Sequence, residues 1–115
     1  MAGIEVQATA RNVRMTSRKV RLVGAAVKGK PLQEAMSMLR FMPHRASTVI
    51  LKAVKSAAAN AENNLDMEPD GLYVIRVIAD PGRTLRRFRA KARGRVGPVR
   101  KESTHVTVVV GEKGA

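Results

Sequence analysis

The sequence predicts an α+β fold: three helices packed on a small antiparallel sheet, with a long basic β-hairpin projecting from the body. Three observations predict it. Helical apolar spacing is confined to the first half of the chain after residue 16, and strand-like runs lie at 4–13, 72–79 and 103–110. Helices and strands that segregate rather than alternate make an α+β domain. The third observation is the stretch Arg83–Lys101, RTLRRFRAKARGRVGPVRK, in which nine of nineteen residues are Lys or Arg and none is acidic. Within it Arg87, Arg89, Lys91, Arg93 and Arg95 take every second position, with Phe88, Ala90, Ala92 and Gly94 between them. Alternate residues of an extended chain lie on opposite faces. One face of this segment is therefore cationic and the other small or apolar. Gly94 and Gly97-Pro98 supply turn formers near its midpoint. The expected organisation is one domain, with a body at about 1–80 and 103–115 and an arm at about 81–102.

The elements follow in order. Ile4–Val13 alternates Val6, Ala8 and Ala10 with polar neighbours, as a half-buried strand does. A helix begins at Ser17, a good N-cap residue, and carries Val20, Val23 and Val27, with Leu22 and Ala26 widening the stripe. Gly29 and Pro31 stop it. Pro31 suits the first turn of a second helix, whose stripe is Leu32, Ala35, Met36 and Leu39 and whose end is Pro43. From His44 to about Asn63, apolar residues recur at Ala46, Val49, Ile50, Ala53, Val54, Ala57 and Ala61, the spacing of a long amphipathic helix. Asn63, Asn64 and Gly71 mark its exit. Asp66, Glu68 and Asp70 form a solvated acidic loop, because they lack the companion ligands of a calcium loop. Leu72–Ala79 is a strand apolar on both faces except at Arg76. Asp80-Pro81-Gly82 is a turn or bulge signal, where the arm leaves the body. Ser103–Val110 is the β-branched returning strand. The two late strands are expected as antiparallel neighbours, with the first strand in the same sheet.

A formal net charge of +13 calls for an anionic partner. Only Phe41, Tyr73 and Phe88 are aromatic, too few to stack a run of unpaired bases. Folded, phosphate-dense nucleic acid gripped by charge and shape is the expected ligand. Arg11 and Arg14 end the first strand, and Arg18, Lys19 and Arg21 lie near the start of the first helix, where free amides and cations converge on a phosphate. With no cysteine, the chain has no disulfide framework, Cys-ligated zinc or thiol nucleophile. His44 and His105 have no partner at metal-ligand spacing. No phosphate-binding glycine loop or nucleophile motif occurs. An enzyme, a metal and a cofactor are therefore not expected. No stretch has the length of a membrane span, no signal pattern opens the chain, and no membrane partner or homo-oligomer is expected. A DNA-architectural protein with a minor-groove arm is the alternative. Phe88 is its one good wedge.

SRKVRLV at 17–23, SAAANAENN at 56–64, KARGR at 91–95 and STHVTVVV at 103–110 resemble the bacterial large-subunit ribosomal protein twenty-two family, in order and at compatible spacing over about residues 5–112. The resemblance implies a cytoplasmic structural constituent of the large ribosomal subunit that binds its RNA, supports assembly and has neighbouring ribosomal proteins as partners. It implies RNA contacts at Ser17, Arg18, Lys19 and Arg21 on the body, and at Arg83, Arg86, Arg87, Arg89, Lys91, Arg93, Arg95, Arg100 and Lys101 on the arm. It also implies a hairpin tip, comprising Phe88, Arg89, Ala90, Lys91, Ala92 and Arg93, that lines the nascent-peptide exit tunnel. Better-known members of the family carry Met-Pro where this chain has Arg89-Ala90, a departure at the tip that does not disturb the overall match.

Overall fold

A computed structural model describes residues 5–82, 85–90, 96–101 and 103–112, with the side chains of 85–90 and 96–101 excepted. Its elements are β1 (Glu5–Val13), α1 (Ser17–Val27), α2 (Leu32–Phe41), α3 (Arg45–Leu65), a 3-10 turn (Pro69–Gly71), β2 (Leu72–Pro81), β3 (Leu85–Ala90), β4 (Val96–Lys101) and β5 (Thr104–Glu112). One sheet has the order β1-β5-β2, all antiparallel, and β3 and β4 form a separate antiparallel pair. The α+β reading holds, with β5 as the central strand.

The helices cover one face of the three-stranded sheet. Val6, Val74, Ala79, Val106, Val108 and Val110 are buried there against Val20, Val27, Leu39, Ile50 and Val54. The opposite face is more exposed, though Val109 on it is buried, with Thr9 Oγ1 and Thr107 Oγ1 3.1 Å apart and the Arg76 guanidinium donating to both Glu5 carboxylate oxygens at 3.2 and 2.8 Å. Tyr73, Ile75 and Ile78 of β2 are consequently only half-buried, less than a strand apolar on both faces led us to expect.

Several boundaries differ from expectation for local reasons. Ser17 is the first residue of α1 rather than its cap; Thr16 holds the cap position without a side-chain cap bond. Pro31 likewise stands one place before α2. Gly29, at φ +78°, supplies the left-handed residue that ends the α1 region, and its N–H donates to Val74 O at 2.7 Å. α3 runs through Asn63 and Asn64 to Leu65, where Asp66 turns left-handed at φ 51°. The Met67 N–H then closes back on Ala61 O at 3.1 Å and Met67 is buried, a helix stop secured by an apolar contact.

The core face of α1 is Val20, Val23, Gly24 and Val27. Leu22 and Ala26 do not widen it: both are exposed, Leu22 by 67%. Gly24 explains the rotation. A Cβ there would stand 2.9 Å from Val77 Cβ, so only glycine lets α1 approach β2 this closely. Arg21 fixes the same contact by donating from Nη2 to Ala79 O at 2.9 Å.

Asp80 and Pro81 do not form a bend. They remain in the ladder opposite His105 and Thr104, and Gly82 N–H donates to Ser103 O at 2.8 Å. β2 is an edge strand, where a proline lacking an N–H is tolerated. Gly97 and Pro98 are likewise strand residues rather than turn formers, opposite Arg89 and Phe88, in a two-stranded ladder whose strands are both edges. The radius of gyration is 17.2 Å and the extents are 63 × 25 × 21 Å, against about 13 Å for a compact chain of this length. The molecule is elongated.

Candidate nucleic-acid interface

Thr104 joins the two basic regions of the chain. It is the first residue of β5 and pairs with Val13 of β1 on one side and Pro81 of β2 on the other. Its side chain is fully buried. Oγ1 donates to Met15 O at 2.6 Å and lies 3.2 Å from Ser17 Oγ. One hydroxyl thus holds the β1–α1 turn, with Arg14 on it, against the strands that lead to β3 and β4. Next to it, β1 carries a bulge between Ala10 and Val13, with Asn12 left-handed at φ 56°. Asn12 N–H donates to His105 Nδ1 at 3.1 Å.

Arg11, Arg14, Arg18 and Lys19 are exposed around this junction. Ser17 and Arg21 are partly committed within the protein, to Thr104 and Ala79. In the arm, Arg86 stands opposite Arg100, Arg87 opposite Val99, Arg89 opposite Gly97, Leu85 opposite Lys101 and Ala90 opposite Val96. Arg83, Lys91, Ala92, Arg93 and Arg95 lie outside the described residues.

The body also has a groove of about 780 Å³ between α1 and the α2–α3 turn. Arg14, Lys19 and Arg45 bring positive charge to it, and no acidic residue lines it. Met15, Leu22, Val23, Ala26, Met42 and Pro43 supply apolar surface. The first turns of α1 and α3 have no acidic residue and no side-chain cap bond. Sequence reasoning missed Arg45. The signal was present, since His44-Arg45 opens a long helix much as Arg18-Lys19 opens a shorter one. Among the described residues no group of acidic, His or Cys side chains could hold a metal, and no helix is long and apolar enough to cross a membrane.

Residues 8–111 match the family model described as Ribosomal protein L22p/L17e. The chain belongs to this family. It is 48% identical over 107 residues to the large ribosomal subunit protein uL22 of Pediococcus pentosaceus, covering 93% of this chain and 91% of that one. The protein of the same name from Thermoanaerobacter sp. (strain X514) is 49% identical over 110 residues, 96% of this chain and 99% of its own length. That of Chloroflexus aggregans is 46% identical over 110 residues, covering 96% and 97%. The likeness thus extends through the body and the arm.

Proposed function

We propose that this family member is a non-catalytic structural constituent of the large ribosomal subunit in the cytoplasm, binding large-subunit ribosomal RNA with the body and the arm together. The observation that carries this reading is the Thr104 junction, which ties the basic β1–α1 turn to the root of a basic β-ladder. Two separate cationic segments, one on the body and one on the arm, suit an RNA that folds around the protein. They also suit a role in assembly, because each can hold a different RNA segment. On the body, Arg11, Arg14, Arg18 and Lys19 contact phosphates. Ser17 is held at Thr104, and Arg21 uses Nη2 on Ala79 and has its other donors for RNA. On the arm, Arg83, Arg86, Arg87, Arg89, Lys91, Arg93, Arg95, Arg100 and Lys101 do the same. Neighbouring ribosomal proteins complete the surroundings.

The tip, comprising Phe88, Arg89, Ala90, Lys91, Ala92 and Arg93, borders the nascent-peptide exit tunnel in this reading. Its support is the family membership and the elongated shape. Sedimentation of the tagged full chain from lysate tests the first part. It should travel with large subunits and resist a moderate salt wash; a preference for bent duplex DNA over structured RNA overturns the reading. A photo-reactive probe at position 90 in assembled ribosomes tests the second. It should crosslink a stalled nascent chain, and crosslinks to RNA alone would remove the tip from the tunnel wall.

A further inference from the structure

We propose that the groove between α1 and the α2–α3 turn receives one unpaired nucleotide of RNA, its base on the apolar floor and its flanking phosphates on Arg14, Lys19 and Arg45. This rests on the RNA-binding reading above and adds to it a base-sized site, where composition led us to expect grip by charge and shape alone.

The groove is a built concavity. One wall is the β1–α1 turn, pinned by Thr104 Oγ1 on Met15 O at 2.6 Å. The other is the α2–α3 turn, pinned by the buried Ser47, whose hydroxyl donates to the carbonyls of Met42 and His44. Its volume of about 780 Å³ falls in the usual range of small-molecule pockets, roughly 300–1,000 Å³. Duplex RNA cannot lower a base into such a concavity; an unpaired nucleotide can.

The chemistry of the lining matches the same ligand. A nucleotide in a chain is an apolar-faced base with a phosphate on either side. The groove has an apolar floor and cations from both walls: Arg14 and Lys19 with α1, and Arg45 with α3. Leu22, 67% exposed, is covered when the site is filled. No Phe, Tyr or Trp lines the groove, so the base rests on Met15, Met42 and Pro43, with the His44 imidazole in the same lining. The polarisable thioethers of the two methionines make favourable contacts with a ring. A protein segment fitting the same surface would need its own acidic residues around an apolar anchor, and that is the competing outcome of the test.

The full chain, carrying a photo-reactive phenylalanine analogue in place of Leu22, is bound to protein-free large-subunit ribosomal RNA, and crosslinks are mapped by reverse-transcription stops. The expected result is a stop at a nucleotide unpaired in the RNA. Ala26→Trp, which fills the groove from an exposed helix position, should abolish protection of that base and weaken binding by at least about fivefold, the low end for loss of one stacked base. Arg45→Gln should make the salt slope shallower by about one. Should Ala26→Trp fail to fold by circular dichroism, Leu22→Asp, also at an exposed position, provides the same comparison. Crosslinks only to paired nucleotides, or only to another protein when the bound RNA is taken through subunit assembly, overturn the proposal. So does an Ala26→Trp protein with unchanged affinity and base protection. If the unsubstituted chain fails to bind the RNA, it is the RNA-binding reading itself that falls. If that chain binds with steep salt dependence and the groove variants match it, only the nucleotide site falls.

Discussion

Thr104→Val should loosen the hold of β5 on the β1–α1 turn without changing its shape. Valine replaces the hydroxyl by a methyl of similar size, and the site is fully buried. The substitution removes the 2.6 Å bond to Met15 O and the 3.2 Å contact with Ser17 Oγ. A net hydrogen bond is worth about 1 kcal/mol, and a buried polar group left without its partner costs about 1–3 kcal/mol. The added methyl gains something by burial, so the expected net loss is about 1–3 kcal/mol. Urea unfolding followed by circular dichroism should show a lower midpoint with an unchanged slope. At about 2 kcal/mol the melting temperature should fall by roughly 8 °C for a domain of this size. Thr104→Ser separates the causes: it keeps the hydroxyl and loses a buried methyl, at about 1 kcal/mol. The reasoning is refuted if Thr104→Val unfolds within about 0.3 kcal/mol of the parent, or if the serine variant is the weaker of the two.

Three further outcomes follow from the geometry. Gly24→Ala should destabilise by about 1–3 kcal/mol through overpacking against Val77, despite the better helix propensity of alanine, and Val77→Ala in the same chain should recover part of it in a double-mutant cycle. Glu5→Gln should cost no more than about 1 kcal/mol in urea unfolding, because the Arg76–Glu5 pair is exposed to solvent and screened; a larger loss would mean that the open sheet face is covered. Binding to large-subunit RNA, measured by filter retention from 50 to 300 mM salt, should show a log–log slope steeper than about −3, the sum of several phosphate contacts at about −0.7 to −0.9 each. A flat dependence would contradict charge-led binding.

What was legible in the sequence was what depends on neighbours along the chain. The spacing of Val20, Val23 and Val27, of Leu32, Ala35 and Leu39, and of Ile50, Val54, Ala57 and Ala61 marks helix faces, because a helix repeats every few residues whatever surrounds it. The valines of Thr104–Glu112 mark a strand for the same reason, and the cations of the arm are plain in one dimension. Tertiary structure alone decided which strand is central, since β1 pairs with β5 across about 100 positions and no local pattern encodes that order. It decided that Leu22 and Ala26 face outward, because the core face of α1 is set by how closely Gly24 meets Val77. It decided that Pro81 and Pro98 sit in ladders, since a proline is tolerated or excluded according to whether its strand is an edge. The groove belongs to the same class: Arg14 and Lys19 meet Arg45 only after α1 and the α2–α3 turn have packed, so its charge and shape are properties of contacts and not of any one stretch of chain.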